Sequence, residues 1–266
     1  MVAILFPCDQ AGSVNKPPTV SWTPSDLGTA LRLWIKADTG TSVTGSLIDS
    51  IADQSGRGFN LGSLTTHRPT LNATGYNGHP SIDFTSSSTT YLNTARDVAL
   101  SMGSSSSWFF IGQMDTGTIS YGRLFSYLGA TDAAGTAADY SSTGSVAAIL
   151  RNASTNAVCM YQAAVVTGAS SGVSLNTNMR VLMVFDNVNA TLYINNVQAA
   201  QTACSFTLNS SGNICLGGDP ATSSGAMAFP IDCWDGTVAE ALVTNTALSS
   251  TDRSNLDAYV VARLGA

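Results

Sequence analysis

The chain has 266 residues, of which 44% are hydrophobic and 11% are charged, and its formal net charge is −6. The charged share is less than half of the usual ~25% for a globular domain, and small polar residues take its place. No basic stripe, no membrane-length apolar run and no Cys-x-x-Cys pair is present. These features argue against nucleic-acid binding, membrane insertion and a zinc or redox motif of that spacing.

Residues 1–28 are predicted to form an extended, proline-rich arm, and residues 29–266 a single body. Pro7, Pro17, Pro18 and Pro24 interrupt any regular element in the first segment. The initial apolar run has no basic flank and no cleavage site, so no standard secretory signal is predicted.

The body is predicted to consist of many short strands separated by turns. Apolar alternation or apolar runs predict strands over 31–38, 46–53, 81–84, 108–114, 121–128, 146–151, 157–164, 179–186, 190–195, 197–200, 205–208 and 213–218. Strand 108–114 is mostly apolar and is expected to be buried on both faces. In 31–38, Leu31, Leu33 and Ile35 are expected on one face and Trp34 on the other.

The end of the chain has its own pattern. Residues 238–243 alternate as in a half-buried strand and include Glu240, the only glutamate of the chain. Ser249 and Asp252 resemble a capping box, and Gly265 stands where a C-cap glycine belongs. The chain is therefore predicted to be all-β, a two-sheet antiparallel jelly-roll sandwich with a short C-terminal helix.

Several ordered segments resemble one known family. They are 33–38, 52–58, 68–71, 77–84, 192–195 and 216–218, followed by the strand and helix at the end. Over about 29–265 the chain resembles the laminin-G-like branch of the concanavalin A-like lectin/glucanase superfamily. This resemblance implies two curved antiparallel sheets and a module that binds glycans or proteins, hydrolyses glucans or serves a structural role. Asn196 replaces the usual glycine of one hairpin, and Asn tolerates the same left-handed turn.

Catalysis is not predicted, and the chain is expected not to be an enzyme. The superfamily's glucanases carry Glu-x-Asp-x-x-Glu, which cannot occur here because Glu240 has no glutamate partner. An Asp232–Asp235 pair is interpreted as turn residues. His67 and His79 are interpreted as structural, since no Gly-x-Ser-x-Gly motif accompanies them.

No cofactor is predicted, although bound Ca²⁺ is a second interpretation of the aspartates. Asp49 and Asp53 with 54–56, or Asp219 with Asp232 and Asp235, would supply oxygen ligands, but Asx-turns use the same residues. The cysteines are interpreted as buried thiols. A pair among Cys204, Cys215 and Cys233 is the alternative.

Glycan binding is the remaining chemistry, with Trp234, Asp235 and Asp232 as the candidate contacts. Trp234 follows a polar segment and is the tryptophan most expected to be exposed. The alternative is a partly buried structural ring. Trp34, Tyr121, Tyr127 and Tyr140 are further aromatic candidates.

Together these features predict a non-enzymatic structural or binding protein of a tailed-phage virion, either a head decoration or a fibre subunit, anchored by its N-terminal arm. The alternative is a carbohydrate-binding adhesin or receptor-binding module. Expected partners are other virion proteins (capsid, tail or fibre) or a cell-surface glycan, and the chain is expected to be oligomeric in its assembly. The predicted location is the virion, made in host cytoplasm, or alternatively the bacterial cell surface.

Overall fold

The computed structural model describes residues 22–95, 97–116, 121–129, 146–152, 156–162, 165–167, 173–205, 207–208, 211–218 and 233–266. Its strands are β1 Leu31–Lys36, β2 Thr41–Thr44, β3 Leu47–Ile51, β4 Leu61–Gly62, β5 Thr70–Tyr76, β6 His79–Phe84, β7 Leu92–Asn93, β8 Ser106–Met114, β9 Tyr121–Gly129, β10 Val146–Asn152, β11 Ala157–Gln162, β12 Val165–Thr167, β13 Met179–Phe185, β14 Asn189–Ile194, β15 Val197–Ala203, β16 Gly212–Leu216 and β17 Gly236–Thr244. Helix α1 is Ser250–Leu264, and short 3₁₀ turns are Pro24–Ala30, Ser86–Ser88 and Val98–Leu100. In these ranges no helix has the length and apolar character to cross a membrane.

The strands pair antiparallel and form two layers. The first layer runs β1–β17–β8–β13–β14–β15. The second runs β4–β7–β16–β9–β10–β11–β12. Strands β6, β5 and β3 join the layers, because β6 pairs with β17, β5 pairs with β6 and β3, and β3 pairs with β4. The hydrogen-bonded ladder is therefore continuous from one layer to the other.

The main core lies between the two layers and confirms the predicted sandwich. Trp108 and Phe110 of β8 face Phe125 and Tyr127 of β9, and all four are buried. The Trp108 and Phe125 rings meet edge-on with centroids 5.7 Å apart. Strand β8 is buried along nearly its whole length, as its apolar sequence predicts.

Helix α1 covers the other face of the first layer, which we call the outer face. Leu256, Tyr259, Val260 and Leu264 pack there against Trp34 and Phe109. The predicted ends of the helix are confirmed. Ser249 Oγ accepts a hydrogen bond from the Asp252 backbone N–H at 3.1 Å, and Gly265 has a left-handed φ of 63°.

Two face assignments made from the sequence are wrong. Strand β17 is buried at all nine positions rather than half-buried, because the core covers one face and α1 covers the other. Leu31 lies with Trp34 on the outer face, whereas Leu33 faces the core. A register shift between Leu31 and Leu33 in the pairing with β17 causes this change of face.

Glu240 anchors the helix to the sheet through buried charged and polar contacts. Its side chain is 1% exposed, Oε1 accepts from Trp34 Nε1 at 2.5 Å, and Oε2 accepts from Arg263 Nη1 at 2.6 Å. Arg263 also pairs with Asp38 at 2.6 Å. Burial raises the pKa of Glu240, and the Arg263 guanidinium acts in the opposite direction.

The predicted strand 205–208 is absent from its described residues. Ser205, Thr207 and Leu208 are not in a strand, and the Leu208 N–H donates to the Gly103 carbonyl of a loop. Its backbone therefore serves a loop contact instead of a ladder, while the Leu208 side chain is buried.

The cysteines and the arm are described in part. Cys159, Cys215 and Cys233 are buried and form no disulfide, and Cys204 is half-buried and also outside any disulfide. Trp22 lies against α1, with its ring edge-on to Tyr259 at 6.4 Å. Residues 1–21 lie outside the described residues, so the boundary of the arm at residue 28 stays a prediction.

Candidate functional site

Trp234 is buried, in line with the structural interpretation of its ring, so it is not an exposed glycan contact. The residue is 1% exposed, and its ring meets Phe110 edge-on at 5.8 Å in the main core. The cause lies in the segment just before β17. Cys233 forms an isolated backbone β-bridge with Arg123, and the Trp234 N–H donates to the Gly217 carbonyl at 2.9 Å. These backbone contacts hold the segment at the end of the sandwich.

Of the two aspartates predicted as glycan contacts beside Trp234, the structure describes only Asp235. Asp235 caps the 3₁₀ turn Ser86–Ser88, because its carboxylate accepts from the Ser86 backbone N–H at 3.1 Å and from Ser86 Oγ at 2.7 Å. It remains half-exposed. Asp232 lies outside the described residues, and its part in a glycan contact stays a prediction.

Asp235 belongs to a row of polar side chains at the end of the outer face. Thr237 of β17 lies directly opposite Asp83 of β6 on one side and Gln113 of β8 on the other. Opposed residues of antiparallel strands point to the same face. The adjacent Ile82, Val238 and Met114 point into the main core, so the three polar residues point outward.

One more residue pair extends this row. The Asp115 N–H donates to the Asp235 carbonyl at 3.0 Å, which continues the β8–β17 pairing beyond Gln113 and Thr237. Asp83, Gln113, Asp115, Asp235 and Thr237 form a set that we call the polar strip. Gly112 allows the close approach of these strands, since a Cβ at that position would lie 1.9 Å from the Thr237 carbonyl oxygen.

The carboxylates of the polar strip repel each other. Burial raises the pKa of Asp83, and the charges of Asp115 and Asp235 raise it further. Burial and the charge of Asp235 likewise raise the pKa of Asp115. Among the described residues, no arginine or lysine pairs with any of the three. The strip is therefore a concentrated and uncompensated set of acceptors.

Thr237 leaves a hydroxyl group unsatisfied in the middle of the strip. The residue is 8% exposed, and its Oγ1 has no hydrogen-bond partner in the described part of the chain. A buried hydroxyl without a partner costs about 1–3 kcal/mol. It is one of several buried side-chain atoms in the described ranges with no such partner, and a ligand bound at the strip would satisfy it.

An open cleft of about 210 Å³ adjoins the strip. Its lining combines amide and hydroxyl groups with an apolar side and consists of Val173, Ser174, Thr177, Asn178, Met179, Ile194 and Asn195. Asn178 joins the cleft to the strip. Its Oδ1 accepts from Gln113 Nε2 at 2.6 Å, and its Nδ2 donates to Asn77 Oδ1. Asn178 therefore both lines the cleft and contacts Gln113 of the strip.

A second, smaller cleft lies between α1 and the first layer but is already filled by its own side chains. Its free volume of about 20 Å³ admits roughly one water molecule. Arg180 pairs there with Asp257 at 2.7 Å, and the Arg253 guanidinium lies 4.3 Å from the centre of the Tyr193 ring. These groups satisfy one another, so the candidate site is the polar strip with the larger cleft.

The predicted calcium ligands that are described serve the fold. Asp53 accepts from the backbone N–H groups of Trp34, Ser55 and Phe59. Asp49 pairs with Arg68 at 2.5 Å. Within the described ranges, no group of three or more His, Cys, Asp or Glu residues is placed to hold a metal ion. Asp219 lies outside those ranges, and bound Ca²⁺ stays a prediction.

Of the other aromatic candidates and the histidines, the structure describes the surroundings of Trp34, Tyr127 and His67. Trp34 and Tyr127 are buried, while Tyr140 and the side chain of Tyr121 lie outside the described residues. His67 Nδ1 lies 2.8 Å from Thr89 Oγ1 and its ring stacks near Tyr91, consistent with a structural role.

Sequence reasoning missed the polar strip, although one signal was present. Gln113 is an amide near the end of an otherwise apolar run, and Asp115 follows it closely. What the sequence does not show is the register that brings residues 83, 113 and 237 side by side. That register depends on the pairing of three strands from distant parts of the chain.

Comparison with known proteins shows the fold alone. No protein-family model matches the sequence, and no curated protein matches it significantly. Among solved structures, an arabinofuranosidase complexed with arabinofuranosyl-alpha-1,2-xylobiose has a TM-score of 0.57 at 14% identity, over 82% of this chain and 51% of that one. The binding domain of Paraclostridial Mosquitocidal Protein 1 has a TM-score of 0.55 at 12% identity, over 88% and 53%. Trypanosoma rangeli sialidase with sialic acid has a TM-score of 0.50 at 10% identity, over 86% and 32%.

The chain thus spans about half the length of the first two structures and about a third of the sialidase. All are β-sandwich or jelly-roll-like folds, which agrees with the fold class predicted here. They do not identify the laminin-G-like branch or a phage protein, so that finer assignment remains a resemblance in sequence.

These matches correct the prediction that the chain is not an enzyme. That prediction excluded catalysis once the glucanase motif was absent, whereas an arabinofuranosidase and a sialidase carry this fold in part of their chains. At 10–14% identity the likeness transfers no reaction to this chain.

Proposed function

We propose that this chain binds a carbohydrate through the polar strip and the adjoining cleft. The observation that carries the proposal is the link through Asn178, which joins the polar strip to a cleft with amide, hydroxyl and apolar walls. In the strip, the side-chain oxygens of Asp83, Asp115 and Thr237 have no hydrogen-bond donor among the described residues. Sugars present many hydroxyl groups that donate and accept, and carboxylate and amide side chains match them. Small-molecule sites combine such polar groups with an apolar surface.

The solved structures that share the fold support this proposal at the level of the fold. One of them was solved with an arabinose-substituted xylobiose and another with sialic acid, so sandwiches of this type occur in proteins that hold sugars. The identities are too low to transfer a sugar or a set of contacts. The proposal therefore rests on the residues of this chain.

A glycan array followed by titration calorimetry tests the proposal. We expect the wild-type chain to bind at least one glycan, and Gln113→Ala and Asn178→Ala to weaken that binding about tenfold or more, since each removes an amide from the link. Gln198→Ala on the exposed part of β15 is the matched control and should bind as the wild type does. Absence of any binder for a folded wild-type chain would falsify the proposal.

We also propose a role on the surface of a virus particle, anchored by the N-terminal arm. The low charged share supports it, because surfaces poor in long flexible side chains lose little entropy in close contacts. The bacterial cell surface is the alternative location.

Mass spectrometry of purified particles tests this role. The full-length chain should appear in the particles, and a chain that lacks residues 1–21 should be absent from them. Particles without the full-length chain would contradict this role.

A further inference from the structure

We infer that the polar strip recognises the protonated amino group of an amino sugar, and that it selects such sugars over N-acetylated and acidic ones. This inference rests on the proposed carbohydrate binding and names its ligand class. Three observations carry it: the acceptor-rich composition of the strip, and, within the described ranges, the absence of a cation beside its carboxylates and of a partner for the hydroxyl at its centre.

The first observation concerns the composition of the site. Asp83, Asp115 and Asp235 are carboxylates, which when ionised accept hydrogen bonds and donate none. Asp235 uses part of its capacity on Ser86. For Asp83 and Asp115, no donor contacts the side-chain oxygens within the described part of the chain. A ligand that fills this site must therefore be rich in donors.

The second observation concerns charge. Burial and, secondly, the neighbouring like charges oppose the ionisation of Asp83 and Asp115, and no described lysine or arginine offsets them. The titratable groups that face Asp83 are Asp115 at the end of β8 and Asp235 before β17. Its opposite residue on β5, Thr70, carries no charge. A cationic ligand relieves this repulsion, and an anionic ligand adds to it.

The third observation is Thr237 Oγ1, which is buried, lies on the face shared with Asp83 and Gln113, and has no hydrogen-bond partner among the residues that the structure describes. An ammonium group has three donors and a compact charge. Three donors match in number one hydroxyl and two carboxylates. Charge-assisted hydrogen bonds of this kind are about twice as strong as neutral ones.

A metal ion fits the strip less well than an ammonium group. Calcium takes six to eight oxygen ligands. The described acidic residues include no group of three placed to hold a metal ion. Amide groups next to the strip, on Gln113 and Asn178, match the hydroxyl groups that neighbour the amine of an amino sugar.

Titration calorimetry of the full chain with three sugars of equal length tests the inference. The probes are a glucosamine hexamer, an N-acetylglucosamine hexamer and a galacturonate hexamer, at a pH where the amine is protonated. We expect the glucosamine hexamer to bind at least about tenfold more tightly than its N-acetylated form, and the galacturonate hexamer not to bind. Equal affinity for the free and acetylated amine would overturn the inference while leaving carbohydrate binding intact.

Variants separate recognition by the strip from general attraction to an acidic protein. Asp83→Asn and Asp115→Asn should each remove most of the preference for the free amine. Asp49→Asn makes the same change in net charge on β3, at a carboxylate that pairs with Arg68 and lies outside the strip, and should preserve that preference. An equal loss in all three variants would contradict the inference.

A lysine hexamer is the competing probe, because it offers amines without a sugar. If it binds as tightly as the glucosamine hexamer, the strip recognises protein amines instead, and the inference is overturned.

Discussion

Asp83, Asp115 and Asp235 hold like charges on three neighbouring segments at one end of the outer face. Such an arrangement costs stability, and proteins often accept this cost where a ligand binds. The raised pKa of Asp83 and of Asp115 means that the folded chain holds these protons to higher pH than the unfolded chain does. Stability therefore falls as pH rises from the ordinary carboxyl pKa through the raised one.

Replacing Asp115 with asparagine should stabilise the free protein at neutral pH. The change removes a half-exposed like charge, so the expected gain is about 0.5–1 kcal/mol in the free energy of unfolding. The gain should be complete above the raised pKa and disappear below the ordinary carboxyl pKa, where Asp115 is protonated in both states. Urea denaturation at several pH values measures it.

Asp49→Asn provides the opposite control. Hydrogen bonds from Thr44 and Arg68 hold the pKa of Asp49 below its ordinary value, so its removal should destabilise the protein at neutral pH. The same sign of change in both variants would contradict the electrostatic account of the strip.

At the scale of elements, strand β17 and helix α1 are linked by Glu240 and Arg263. Strand β17 also contributes Thr237 to the strip, so one strand supports both the helix and the candidate site. Glu240 is 1% exposed, and its charge is tolerated because Arg263 and Trp34 contact it.

Arg263→Ala should destabilise the protein by about 3 kcal/mol, since it leaves a buried carboxylate without its cation. Adding Glu240→Gln should recover part of this loss. Because burial already raises the pKa of Glu240, the defect should shrink as pH falls toward the ordinary carboxyl pKa. Guanidinium denaturation measures these changes.

Val261→Ala is the matched control on the same helix. Val261 is 40% exposed, and its loss should change stability by no more than about 0.5 kcal/mol. An Arg263→Ala variant as stable as this control would show that Glu240 does not depend on its partner.

Local sequence signals predicted these elements well where the physics is local. Ser249, Asp252 and Gly265 mark the ends of α1, because capping depends on neighbouring backbone groups. The burial of both faces of β17 was missed, and the inward position of Trp234 was one of two interpretations. Both depend on which distant segments cover them, and no periodicity within the strand contains that information.

At the scale of the whole molecule, the first described residues of the chain join the packing between α1 and the first layer. Trp22 and Leu27 pack against the cluster beneath the helix. Trp22→Ala should lower the free energy of unfolding by about 1 kcal/mol through loss of the edge-on contact with Tyr259.

Deletion of residues 1–21 should leave the thermal midpoint unchanged within error, as should Val197→Ala at a 68% exposed position. A large loss of stability on deletion would show that the fold requires the arm.

The central claim is that the polar strip and the adjoining cleft bind a sugar. A crystal structure of the chain with a glucosamine oligomer tests it most directly. The account predicts sugar density on the outer face at the start of β17, with an amine within hydrogen-bond distance of Asp83 or Asp115 and of Thr237 Oγ1. Sugar bound at a different surface, with Thr237 Oγ1 still unpartnered, would contradict it.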